Sequence, residues 1–139
     1  VTKGWGGRRR YSSKGGKRAD LGGLYVRSTW EANIARVLML LQERNFISSW
    51  EYETVEFEFL EIRRGTRFYK PDFVVWFRPY PEQKDPVYWE VKGYMDAKSK
   101  TKLKRMALYY PDVAIVVIDK EQYKDIEKLF RPFIPEWEE

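Results

Sequence analysis

Residues 113–118 read VAIVVI, six apolar residues with no polar interruption. A strand with one wet face alternates apolar and polar positions, so a continuous run predicts a strand covered on both faces and parallel to a neighbour. The segment before it, DAKSKTKLKRMALYY (96–110), has Leu103, Met106, Ala107 and Tyr110 at helical spacing. Asp96 is its expected N-cap and Pro111 its stop. Before that helix, residues 87–92 alternate: Val87, Trp89 and Val91 to one side, Tyr88, Glu90 and Lys92 to the other. Helices set between the strands of a mixed sheet make an α/β or α+β domain.

The rest of the chain fits that frame. STWEANIARVLMLLQERN (28–45) is a helix with Ser28 as N-cap and a buried stripe of Trp30, Ile34, Val37, Leu38 and Leu41. Glu31 stands three residues after Ser28, the capping-box position, and also at the edge of the buried stripe. WEYETVEFEFLEI (50–62) alternates as a strand, with a parity slip near Thr54 and Val55 that marks a bulge or a break. RRGT (63–66) predicts a hairpin turn on Gly65, residues 67–78 a further strand, and RPYPEQKDP (78–86) a loop. A last helix follows Asp119, and Phe133, Ile134 and Trp137 are expected to pack on this core or on a second subunit.

The chain of 139 residues is read as one folded domain, 28–139, preceded by a flexible basic arm, 1–27. The arm holds eight Lys/Arg against one acid and seven of the nine glycines, whereas residues 28–139 carry net −2. Two readings of the arm stand. It is a solvated tail, or its cations Lys3, Arg8, Arg9, Arg10, Lys14, Lys17 and Arg18 settle on phosphates while Trp5 and Tyr11 stack on bases. Lys98, Lys102 and Arg105 share a helix face and pose the same choice. No run of about 18 apolar residues spans a membrane, and no signal peptide is expected.

There is no histidine and no cysteine. That excludes Ser-His-Asp and Cys-His catalysis, histidine as a general base, disulfides and ordinary structural zinc sites. Any metal is held by oxygen, which suits Mg²⁺, with Mn²⁺ as a substitute. The candidate oxygens are Asp72, after Pro71 at the start of one strand, and Glu90 on the next. On paired strands such carboxylates lie about 5 Å apart and repel unless a cation sits between them. Lys92 shares the face of Glu90. A cross-strand salt bridge on a wet sheet face is the bland alternative.

Glu31, Pro71-Asp72, Glu90 and Lys92, in that order on helix, strand and strand, resemble the motif of the PD-(D/E)xK nuclease superfamily. The likeness covers about residues 28–118. It implies a restriction-endonuclease-like α/β fold with an αβββαβ core on a mixed sheet. It also implies metal ligands at Asp72, Glu90 and the carbonyl of Val91, a catalytic Lys92, and Glu31 completing the site. Small members of this kind, the archaeal and phage Holliday junction resolvases, are homodimers that recognise branched DNA. The chain is therefore expected to be a Mg²⁺-dependent endodeoxyribonuclease of the archaeal, bacterial or phage-infected cytoplasm. It would cut four-way junctions to leave a 5′-phosphate and a 3′-hydroxyl. A nicking, mismatch or other duplex endonuclease, and a non-catalytic DNA-binding protein, are the rival readings.

Overall fold

The computed structural model describes residues 14–78 and 85–139. In chain order they form β1 (Gly16–Arg18), β2 (Leu24–Val26), α1 (Thr29–Glu43), β3 (Ile47–Tyr52), β4 (Phe57–Glu58) and β5 (Phe68–Tyr69). Then come β6 (Phe73–Phe77), β7 (Val87–Val91), α2 (Ala97–Tyr109), β8 (Ala114–Ile118) and α3 (Lys120–Phe130). The central mixed sheet has the order β3-β6-β7-β8, with β8 parallel to β7 and the other pairs antiparallel. Two small hairpins, β1–β2 and β4–β5, stand beside it. This is the expected α/β architecture. No described helix is long and apolar enough to cross a membrane.

The core explains why the site sits where it does. Ser28 caps α1 by accepting the Glu31 amide N–H. Past the helix end at Glu43, the φ of 65° at Asn45 allows the Asn45 and Phe46 amides to reach the carbonyls of Gln42 and Leu41, a Schellman closure. Between these caps, Ile34, Ala35 and Leu38 pack on Phe73 and Val75 of β6, Val91 of β7 and Ile118 of β8. Trp30 stacks on Tyr123 with ring centroids 4.0 Å apart. Phe73 is fully buried, and truncating such a side chain to Ala costs about 3–5 kcal/mol. It also pins the start of β6, the backbone that carries Asp72.

Several expectations are corrected. The strand expected over 67–78 is two strands in different sheets, β5 and β6, separated by Lys70-Pro71-Asp72. Pro71 has no N–H to continue a ladder. The 50–62 strand likewise divides into β3 and β4 at the parity slip. VAIVVI is parallel to its neighbour but is not covered on both faces. As the sheet's terminal strand it leaves Val116 42% exposed. Ala107, assigned to the inner face of α2, is exposed. At the C-terminus, Ile134 is buried and Trp137 packs on the core, while Phe133 is exposed.

The arm is also corrected for residues 14–27. They include the β1–β2 hairpin, tied to α1 and to the C-terminal segment. Arg18 Nε meets Glu138 Oε2 at 2.6 Å. Arg36 of α1 meets Asp20 Oδ2 at 2.8 Å and Glu138 Oε2 at 2.9 Å. Asn33 donates to the Tyr123 hydroxyl and to the Glu138 carbonyl, both at 2.8 Å. Folded backbone therefore extends N-terminal to residue 28. Residues 1–13, with Lys3, Arg8, Arg9 and Arg10, and residues 79–84 of the expected loop lie outside the described residues.

Candidate metal centre

Register builds the site. Tyr52 pairs with Phe73 in the β3–β6 ladder, and Phe73 pairs with Trp89 in the β6–β7 ladder. One step further along these antiparallel pairs, Glu53 comes opposite Asp72 and Asp72 opposite Glu90. The Glu53 amide donates to the Asp72 carbonyl at 2.9 Å, which closes the row. Three acidic residues thus stand side by side at one end of the sheet. The N-terminal turn of α1 brings Glu31 to the same end. One oxygen each of Glu31, Glu53 and Asp72 lie within 4.8 Å of one another.

Glu53 is the residue that sequence reasoning missed. Its φ is 54°, a left-handed conformation that non-glycine residues seldom adopt and that costs about 1–3 kcal/mol. The parity slip at Thr54 and Val55 was the available signal. It marked a break in the strand but not which side chain the break re-aims. Arg27, in the turn before α1, meets Glu53 Oε2 at 2.7 Å.

Glu31 does not act as the capping-box glutamate that its spacing allows. Its carboxylate accepts from the Ser28 hydroxyl at 3.0 Å and from the Tyr52 hydroxyl. The Arg27 amide donates to that tyrosine oxygen at 3.2 Å. The side chain is thereby oriented into the acidic group while 9% exposed. Burial pushes its pKa above the usual carboxylate range. Hydrogen bonds from Tyr52 and Ser28 oppose that shift, and the nearby Glu53 adds to it.

Asp72 and Glu90 are strained in the same sense. Burial raises Asp72 far above its ordinary value, and Glu90 and Glu31 raise it further. Its Oδ2 accepts the Val91 amide at 2.7 Å, leaving the other oxygen for a ligand. Val91 thus meets Asp72 through its N–H. Glu90 is 6% exposed, and burial raises it against the pull of Lys92 and Tyr69. It stands just outside the close group of three. Its Oε1 accepts from the Tyr69 hydroxyl at 2.9 Å, and its Oε2 faces Lys92 Nζ at 3.4 Å. Burial and Glu90 keep Tyr69 protonated, and burial and Glu31 do the same for Tyr52, so both remain donors.

Buried and half-buried carboxylates with raised pKa values are short of positive charge. A divalent cation bound by oxygen relieves that shortage, so the donor set fits such an ion. The expected Glu31, Asp72, Glu90 and Lys92 do converge on one end of the sheet, with Glu53 added. The other expected cations divide. Lys102 lines a cleft with Glu90 and Lys92. Arg105 donates to the Thr66 carbonyl, and Lys98 is exposed. Arg18 is engaged by Glu138, while Lys14 is exposed and Lys17 lies in β1. No known protein family, curated protein or solved structure matches the chain.

Proposed function

We propose that the protein is a Mg²⁺-dependent endodeoxyribonuclease of the PD-(D/E)xK kind, with Mn²⁺ as a substitute metal and branched DNA as the substrate to test first. The observation that carries this reading is the convergence of Glu31, Glu53 and Asp72 within 4.8 Å, beside a lysine in contact with Glu90. A structural salt bridge would need no such excess of buried and half-buried carboxylates. Glu31, Glu53 and Asp72 would hold the cation, with Glu90 at its edge. When bound, it would supply Lewis acidity toward a phosphodiester oxygen and lower the pKa of a water. Val91 N–H and the hydroxyls of Ser28, Tyr52 and Tyr69 fix the carboxylates, so little reorganisation is needed on binding. Lys92 would meet negative charge gathering on a phosphate.

A four-way junction has two strands to cut, which favours a pair of chains, each bringing one centre. The test is a panel of labelled four-way junction, fork, mismatched duplex and plain duplex, with Mg²⁺, Mn²⁺ or EDTA. Expected are products with either metal, none in EDTA, and preference for the junction. Preference for a mismatch or plain duplex would move the reading to the rival nuclease. Binding without cleavage of any member would leave a DNA-binding protein.

A further inference from the structure

Two clefts meet at Lys92, and they differ in charge balance. The one toward α3, about 360 Å³, sets Lys120 and Lys124 against Asp119 and Glu121, and Asp119 also caps α3. The one toward α2 is lined by Tyr69, Lys70, Glu90, Lys92, Ser99 and Lys102. Its single acid, Glu90, is already engaged by Lys92 and the Tyr69 hydroxyl. Neither Lys70 nor Lys102 forms an ion pair among the described residues, where all but one of the ion pairs are made by arginine. Helix α2 adds to the imbalance, with five Lys/Arg against one acid at its N-cap, Asp96, whose charge acts on Lys92 and Lys102.

We propose that Lys70 and Lys102, together with Lys92, form a phosphate subsite on the α2 side of the acidic centre, which seats the nucleic-acid backbone next to the phosphate being cut. The proposal rests on the nuclease reading and gives it a direction. The substrate strand leaves the centre over α2, not over α3. Position supports it. Lys70 stands two residues before Asp72, beyond Pro71, and Lys102 lies one turn along α2 from the buried Ser99. Both cations are therefore mounted on backbone that also frames the acids. Lysine suits the task, since a compact ammonium binds phosphate as a point charge without demanding bidentate geometry.

The test compares Lys70→Ala/Lys102→Ala with Lys120→Ala/Lys124→Ala, using fluorescence anisotropy of a short labelled DNA duplex in EDTA over a salt series. Losing one phosphate contact should lower the slope of log affinity against log salt by about 0.9 and weaken binding roughly tenfold at low salt. That loss is expected in the Lys70/Lys102 variant, with less than about a twofold change in the Lys120/Lys124 variant. Mn²⁺ binding by calorimetry and the melting temperature should match wild type in both, since neither pair ligates metal. Unchanged affinity and slope in the first variant, or an equal loss in the second, overturns the subsite. If the first variant loses binding as expected but wild type cleaves nothing with Mg²⁺ or Mn²⁺, the subsite stands and the nuclease reading falls. If wild type does not bind DNA, both fall.

Discussion

Two groups of carboxylates lie against α1, and their charge is balanced in opposite ways. In the clamp, Asp20 and Glu138 meet Arg18 and Arg36, and Arg36 keeps only 5% of its side chain exposed. The hydrogen bond from Arg36 holds Asp20 below its usual pKa. Burial pushes Glu138 up, but Arg18 and Arg36 outweigh it and the net shift is downward. At the centre, Glu31, Asp72 and Glu90 all move upward, because burial and neighbouring acids outweigh Lys92 and the hydroxyl donors. Acids matched by internal cations hold a fold together. Acids left in excess at a sheet end weaken it, and a cation from outside could offset that excess.

The sharpest way to break this contrast is to remove one charge from each group. Asp72→Asn should lower Mn²⁺ affinity by at least about 100-fold, since even residues behind a ligand are worth 10–100-fold. It should abolish metal-dependent cleavage and raise the stability of the metal-free protein, because the Val91 amide still finds an oxygen while repulsion falls. Glu138→Gln should do the reverse. It leaves the buried Arg36 short of charge and should cost about 2 kcal/mol, below the 3–5 kcal/mol of a fully buried pair because Glu138 keeps some exposure. Urea unfolding in EDTA reads both. Stability changes of the same sign would erase the distinction.

Titration offers a smaller effect with a definite sign. The clamp acids have depressed folded pKa values. Their contribution is present above the unfolded values of about 4 and lost as pH falls through the folded ones. The centre acids have raised folded values. Their favourable contribution is present below about 4 and lost as pH rises through the folded values. In EDTA, wild type should therefore be most stable in mild acid and decline toward neutral pH. Saturating Mg²⁺, or Asp72→Asn, should flatten that decline, whereas Glu138→Gln should alter only the acid side. A neutral-side decline identical in wild type and Asp72→Asn would mean that the centre carries no excess charge.

The same contrast explains what could be read from sequence. The caps Ser28, Asp96 and Asp119 were legible because a cap bonds its own first turn. The α1 stripe was legible from periodicity, and the parallel strand from its unbroken apolar run, although one of its faces is open. Charge balance was not. Arg18 counts as an arm cation until Glu138, 120 residues away, is folded against it. The half-exposure of β8 follows from its place at the sheet edge, which no local pattern encodes. Glu90 and Lys92 stood out because strand parity aims them, and Asp72 because it follows Pro71 where a strand begins. Glu53 did not, because its aim comes from a positive φ and from pairing with Asp72.

Arg27 lies between the two cases and gives the smallest expected effect. It is the arginine that reaches the centre, by its ion pair with Glu53, yet its side chain is 62% exposed. An exposed pair of this kind contributes about 0–1 kcal/mol. Arg27→Ala should therefore shift unfolding by less than about 0.5 kcal/mol, far less than Glu138→Gln. Its amide bond to the Tyr52 hydroxyl is backbone and survives the change. Metal binding should respond in the opposite direction from every ligand substitution. Removing a positive charge several ångströms from a dication relieves about 1 kcal/mol of repulsion in a watery medium, so Mn²⁺ should bind about two- to fivefold tighter at low salt. The gain should shrink as salt approaches 1 M, where screening acts over about 3 Å. Calorimetry at two salt concentrations decides it. Weaker Mn²⁺ binding in Arg27→Ala would mean that Arg27 holds Glu53 in its ligating position, and that the centre, like the clamp, depends on an internal cation.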